Sequence, residues 1–143
     1  MTRGKMVFID KNAITKRLEM YVTDEFNGDM YPSYYGKEIA CTLEKVTNLE
    51  KFVRYAKFFN EQYFKYDDFK INKLKMKDNR IDLKHKYFDN WFSDYLYFKN
   101  ESGEKIEVLC KKAPEPIILE DGEVMATYFG DDVIYSLEQL NLQ

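Results

Sequence analysis

The residues of this chain best equipped for chemistry are few: one imidazole, His85, two thiols, Cys41 and Cys110, and the carboxylate–lysine triplet Asp82-Leu83-Lys84. An imidazole can act as a base near neutral pH. Strand alternation, however, groups His85 with Ile81, Leu83 and Tyr87, the position of a half-buried core histidine satisfied by a hydrogen bond. The two cysteines stand in strand-like apolar patterns with no neighbouring base to activate a thiolate. One His and two isolated Cys also lack the spacing of a zinc site. Asp82 and Lys84, with Asp67 or Asp68 and Glu61 upstream, supply two carboxylates for a divalent ion and a lysine to position water. With 25 acidic residues and 18 lysines among 143, roughly three Asp/Glu-x-Lys triplets arise by chance, and two occur, the other being Asp68-Phe69-Lys70. The six glycines are scattered and form no phosphate-cradling loop. No catalytic, metal or cofactor constellation therefore rises above chance, and the expectation is a protein without a cofactor that is not an enzyme.

Two surfaces remain as candidates for binding. The first is basic. Residues 69–88 alternate lysines with apolar residues on both sides of a four-residue turn, so Leu74, Met76, Ile81 and Leu83 share one face, and Lys73, Lys75, Lys77, Arg80, Lys84 and Lys86 the other. This pattern predicts a hairpin whose basic face can lie along phosphates, with Tyr63, Tyr66, Tyr87 or Trp91 for stacking. Lysines equally keep a solvated sheet face soluble and its edge unpaired. Arginine, the better bidentate phosphate ligand, is scarce at 4 against 18 lysines, which counts mildly against a dedicated nucleic-acid reader.

The second surface is acidic and aromatic. Residues 51–100 carry 12 Lys/Arg against 7 Asp/Glu, whereas residues 101–143 carry 3 against 10. Glu115, Glu120, Asp121, Glu123, Asp131 and Asp132 cluster at expected turns, where carboxylates also act as caps and turn formers. Upstream, Tyr31, Tyr34 and Tyr35 sit in a loop stiffened by Pro32, where they can anchor a partner drawn in by charge. Aromatic residues make up 17% of the chain, with 12 Tyr and 11 Phe against one Trp, an excess that serves a small core as readily as a docking surface.

The elements that must position these groups read as α+β. The chain has the length of one domain, residues 1–143, and the hydrophobic content to bury a core. Met6–Ile9 predicts a first strand. Ile14, Leu18, Tyr21, Val22 and Phe26 fall at helical spacing and predict a helix over about 12–26, although Leu18–Val22 also alternates as a strand. Ile39, Cys41 and Leu43 alternate as a strand. Thr47-Asn48-Leu49-Glu50 has capping-box spacing ahead of an apolar stripe, predicting one long amphipathic helix over about 48–64. Consecutive hairpins follow: 69–88, then 95–98 with 106–110, then 117–119 with 124–128 around Asp121-Gly122. A short C-terminal helix carries Val133, Leu137 and Leu140. The expected architecture is a single domain with an antiparallel sheet of consecutive hairpins, packed against the long helix.

The reading of function is correspondingly general. Sparse cysteine, only four apolar residues before Asp10 and no membrane-length apolar run lead to the expectation of a reduced, cytoplasmic protein. As a compositional class, compact, acidic, tyrosine-rich chains without catalytic motifs resemble the inhibitors that phages and mobile elements deploy against host enzymes and defence systems. The expected role is a small regulator or inhibitor that docks Tyr31, Tyr34, Tyr35, Glu120, Asp121, Glu123, Asp131 and Asp132 on a larger protein or nucleoprotein with a basic surface. The alternative is a nucleic-acid-binding module using the basic hairpin 70–86. A third is a small-molecule pocket or minor enzyme with His85 or Asp82 at its mouth.

Overall fold

The computed structural model describes residues 2–83, 94–109, 115–128 and 133–136. It is mixed α+β with two helices and two sheets. The strands are β1 (Arg3–Lys11), β2 (Leu18–Thr23), β3 (Phe26–Asn27), β4 (Ile71–Lys75), β5 (Arg80–Asp82), β6 (Tyr95–Asn100), β7 (Ile106–Leu109), β8 (Ile117–Leu119), β9 (Val124–Tyr128) and β10 (Val133–Ser136). The helices are α1 (Tyr35–Glu44) and α2 (Leu49–Phe59), the latter running on into one π-helical turn, Asn60–Phe64. The larger sheet has the order β10-β9-β6-β1-β2-β4, with β3 pairing the start of β1; the smaller has the order β5-β7-β8.

The large sheet is buried on both faces, which explains the continuous apolar run of β1 and the full burial of β6. Met6, Phe8, Tyr97, Val124 and Ala126 face α1 and α2, meeting Ile39, Ala40 and Leu43 of the first helix and Phe52, Ala56 and Phe59 of the second. Val7, Ile9, Met20, Val22, Leu96 and Phe98 face the other way, onto Ile81, Leu83, Ile106, Val108 and Leu119 of the small sheet and its flanks. The molecule is thus three layers, helices on sheet on sheet, with two cores separated by the large sheet. β1 lies antiparallel to β2 but parallel to β6, with Val7 opposite both Val22 and Phe98.

Several sequence expectations are corrected. No helix spans 12–26: Asn12 makes a turn, its Oδ1 accepting from the amides of Ile14 and Thr15, and the chain returns as β2. Ile14 is 91% exposed at the tip of that turn, so the helical spacing that included it was coincidental. The expected strand through Ile39, Cys41 and Leu43 is α1, which buries Gly36, Ile39, Ala40 and Leu43 and leaves Cys41 exposed. The long helix stands, but Asn48 rather than Thr47 caps it, accepting from Lys51 N at 2.8 Å. Residues 133–136 form a strand on β9 instead of beginning a helix.

The hairpins are the largest correction. β4 pairs with β2 and β5 with β7, so the basic segment is no ribbon. β6 and β7 do not pair with each other, and neither do β8 and β9. The local turns are real: Asp78 and Gly122 take left-handed conformations, and Glu123 N reaches Glu120 O. Each turn carries the chain from one sheet to the other instead of folding it back on its neighbour. Facing apolar residues within these segments bury against a common core, but from opposite layers.

Candidate functional site

The tyrosine loop is held rigidly. Tyr34 and Gly36 both donate their amides to Tyr31 O at 3.0 Å, and Tyr35 N reaches Asp29 O. Met30 N donates to the Thr2 hydroxyl, and the buried Tyr97 hydroxyl donates to Met30 O. Burial, with Tyr95 adding to it, raises the Tyr97 phenol above its usual range, so it remains a donor at any physiological pH. Gly36 is required here, because a Cβ would run into the Tyr97 ring and hydroxyl. On this fixed backbone Tyr31 is 43% and Tyr34 64% exposed, their rings 6.0 Å apart, and Tyr31 also leans on Tyr95. Tyr35 turns inward, edge-on to Phe59 at 5.7 Å and beside Tyr63 at 4.8 Å. Asp29 and Glu38 are exposed nearby, Glu38 accepting from the Tyr63 hydroxyl at 2.6 Å. Most of the aromatic excess is spent on the core beneath the helices, where Phe8 stacks on Phe52 and Phe26 meets Phe59, Phe64 and Phe69.

The acidic turn lies elsewhere. Val124 pairs with Lys99 at the end of β6, where Lys99 Nζ donates to Glu44 O at the C-terminus of α1; the tyrosines sit at its N-terminus. Ten helical residues, about 15 Å, separate the two. Asp121 accepts from Gly103 N at 2.6 Å, Glu123 from Glu120 N at 2.8 Å, and Glu120 pairs with Lys105 at 3.6 Å. These three carboxylates build their own turn. Asp131 and Asp132 lie outside the described residues.

The basic residues are divided. Lys73 on β4 is bound to Glu19 at 2.9 Å, and Arg80 on β5 to Glu107 at 3.0 Å. Lys75 and Lys77 are exposed. Lys84, Lys86, His85 and Cys110 lie outside the described residues. Asp67 and Glu61 border a shallow depression beside the π-helical turn, while Asp82 is on the small sheet. Among the described residues no three His, Cys, Asp or Glu groups converge on a point where a metal could sit. No described helix is long and apolar enough to cross a membrane.

The structure also exposes two features that the sequence reading missed. Glu19 is the centre of a polar cluster: Oε1 accepts from Asn12 at 2.8 Å, and Oε2 from the Tyr21 hydroxyl at 2.6 Å and from Lys73. The Tyr21 hydrogen bond and then Lys73 hold Glu19 down at about 2, while burial and Glu19 itself push Tyr21 up to about 12. With both oxygens engaged, this carboxylate ties the edge strand β4 to β2. The signal for it was the alternation of Leu18–Val22, which puts Glu19 and Tyr21 on one face only in a strand. The second feature is a cleft of about 560 Å³ between the edges of the two sheets, floored by Met20, Leu74, Met76, Ile81 and Leu109.

No family model, no curated protein and no solved structure matches this chain.

Proposed function

We propose that this protein is a non-enzymatic macromolecular binding protein, a small regulator or inhibitor that docks a tyrosine-rich, acidic surface on a larger protein. The observation that carries the reading is the pair Tyr31 and Tyr34, two large rings left in solvent on a backbone already fixed by Thr2, Asp29 and Tyr97. Rings presented this way lose little entropy on binding and bring large contact area with a polar tip. Asp29 and Glu38 flank them, and the Glu120–Glu123 turn adds negative field from the far end of α1. Steering by charge does not require the acidic groups to touch the partner. The compositional likeness to inhibitors of phages and mobile elements supports the same direction. The nucleic-acid alternative is weaker, because Lys73 and Arg80 already have carboxylate partners and stand on different sheets.

The test is affinity capture from a lysate of the source organism, with and without nuclease treatment, run in parallel with three forms of the protein. A single protein recovered in stoichiometric amount by the wild type, lost with Tyr31→Ala/Tyr34→Ala and retained with Lys75→Glu/Lys77→Glu, is the expected result. Recovery indifferent to the tyrosines would overturn the proposed surface. Capture that consists of nucleic acid and disappears on nuclease treatment would instead assign function to the lysines.

A further inference from the structure

Asn27 is the only asparagine of the chain followed by glycine. In such a pair the backbone nitrogen of the glycine can attack the side-chain carbonyl before it, because glycine sets no Cβ in the way. The fold leaves this pair uncovered. Asn27 is exposed at the end of β3, and its side chain forms no hydrogen bond among the described residues. Gly28 has φ 130°, and a Cβ built on it would meet nothing within 4 Å, so this stretch of backbone borders open space. The comparable pair Asp121-Gly122 is closed by contrast. Asp121 Oδ1 accepts from Gly103 N at 2.6 Å, and a carboxylate is a far poorer electrophile than an amide.

The attacking nitrogen is gated. Gly28 N donates to Thr2 O at 2.7 Å, just beyond the pairs Arg3–Asn27 and Gly4–Phe26 that make up the whole ladder between β1 and β3. While that bond stands, the nitrogen is not free to react. It sits, however, at the end of a two-pair ladder, and short ladders open locally far more often than the long ones β1 makes with β2 and β6. The Thr2 hydroxyl steadies the gate by accepting from Met30 N at 2.8 Å.

We propose that Asn27-Gly28 is a self-modification site, at which opening of β3 lets Gly28 N attack Asn27 Cγ and convert Asn27 to aspartate or isoaspartate. The new bond between Gly28 N and Cγ closes a succinimide ring. The nitrogen gives its proton to solvent, and the side-chain amide leaves as ammonia. Water then opens the ring, at Cγ to give aspartate or at the main-chain carbonyl of residue 27 to give isoaspartate; no redox step is involved. Isoaspartate inserts an extra methylene into the main chain ahead of Gly28, so Gly28 N no longer meets Thr2 O in register and Met30 N is drawn off the Thr2 hydroxyl. Both bonds fix the backbone that carries Tyr31 and Tyr34. Modification therefore loosens the tyrosine loop, and only the effect of that on a partner rests on the function proposed above.

The full chain is incubated at pH 8 and mapped at intervals by proteolysis and mass spectrometry, beside the same chain unfolded in guanidinium chloride and the variants Thr2→Ala and Asn27→Gln. In the folded protein Asn27 should convert before any other asparagine, about tenfold more slowly than in the unfolded chain, where the gate is absent. Thr2→Ala takes the acceptor from Met30 N and should speed conversion of the folded chain severalfold while leaving the unfolded rate unchanged. Asn27→Gln, whose ring would be larger and slower to close, should stay intact. No conversion of the folded chain in the time the unfolded chain takes to convert overturns the site, as does earlier loss of another asparagine. A folded Thr2→Ala rate equal to that of the wild type overturns the gate. The isoaspartate form, separated by ion exchange, should exchange the amide hydrogens of Gly28 and Met30 at least tenfold faster than the unmodified chain. Unchanged exchange there overturns the release of the loop, whatever the fate of the proposed partner.

Discussion

Among the described residues, Lys5 places a charged side chain in the core at a cost. It sits on β1 with only 6% of its surface exposed, on the same strand face as Val7 and Ile9. Burial lowers its ammonium from the ordinary 10.5 to about 7, with Glu25 and Asp24 pulling in the opposite direction and limiting the fall. The consequence for stability has a definite sign. Between about pH 7 and 10.5 the unfolded chain holds a proton on this amine that the folded chain has released, so raising the pH through that window favours folding. Below it the lysine is charged in both states and the burial penalty is fully present. Lys5→Met removes the titration. We expect the stability of the wild type to climb relative to Lys5→Met by up to about 1.4 kcal/mol per pH unit above pH 7. Urea titrations at pH 7.0, 8.0, 9.0 and 9.5 would measure this difference, and parallel curves for the two proteins would refute it.

At the scale of elements, α2 is where local chemistry and tertiary structure agree. Asn48 caps it, Glu50 and Arg54 pair one turn apart at 3.2 Å, and Phe52, Ala56 and Phe59 fall on the buried side. Asn48→Ala removes the acceptor from Lys51 N and should cost about 1 kcal/mol, whereas Thr47→Ala should cost almost nothing; thermal melts of both variants decide which residue is the cap. The helix was legible because its signals are contained within one span of sequence. β1 and β4 to β9 were legible as strands for the same reason, whereas β2 and β10 read as helix, and the partners of the strands were not legible at all. Pairing of Val7 with Phe98, some ninety positions away, leaves no trace in local alternation, and a tight turn reads the same whether it folds a hairpin or crosses between layers. α1 was lost to an ambiguity of phase: 39, 41 and 43 fit a strand, while 36, 39, 40 and 43 fit a helix, and only the exposure of Cys41 tells them apart. The candidate sites divide in the same way. Exposed tyrosines in a stiff loop could be anticipated from residue types, with Tyr35 turning inward as the exception. The cleft could not, because it is a product of β4 and β5 belonging to different sheets.

For the whole molecule, the decisive fact is that two cores share one sheet. Met6 and Ile9 lie on the same strand, yet Met6 packs under the helices and Ile9 against the small sheet, both essentially without exposure. Stripping either outer layer would leave one face of the large sheet, including the inner strands β1 and β6, in water. With about 25 cal/mol lost per Å² of apolar surface so exposed, neither two-layer remnant has stability to spare against the few kcal/mol by which domains of this size are stable. The layers should therefore unfold together. Met6→Ala and Ile9→Ala are each expected to cost about 2–5 kcal/mol, a similar penalty from opposite faces. In both variants the urea transitions followed by far-UV circular dichroism and by tyrosine fluorescence should coincide, as a two-state process demands. Two separated transitions in the Ile9→Ala protein, with the fluorescence change unmoved, would mean that the helical layer and its core survive loss of the small sheet. In that case the tyrosine loop, anchored to β6 through Tyr97, would keep its geometry after the small-sheet core has gone. A single shared transition ties the two cores to the same folding event, so a defect in either removes the tyrosine surface.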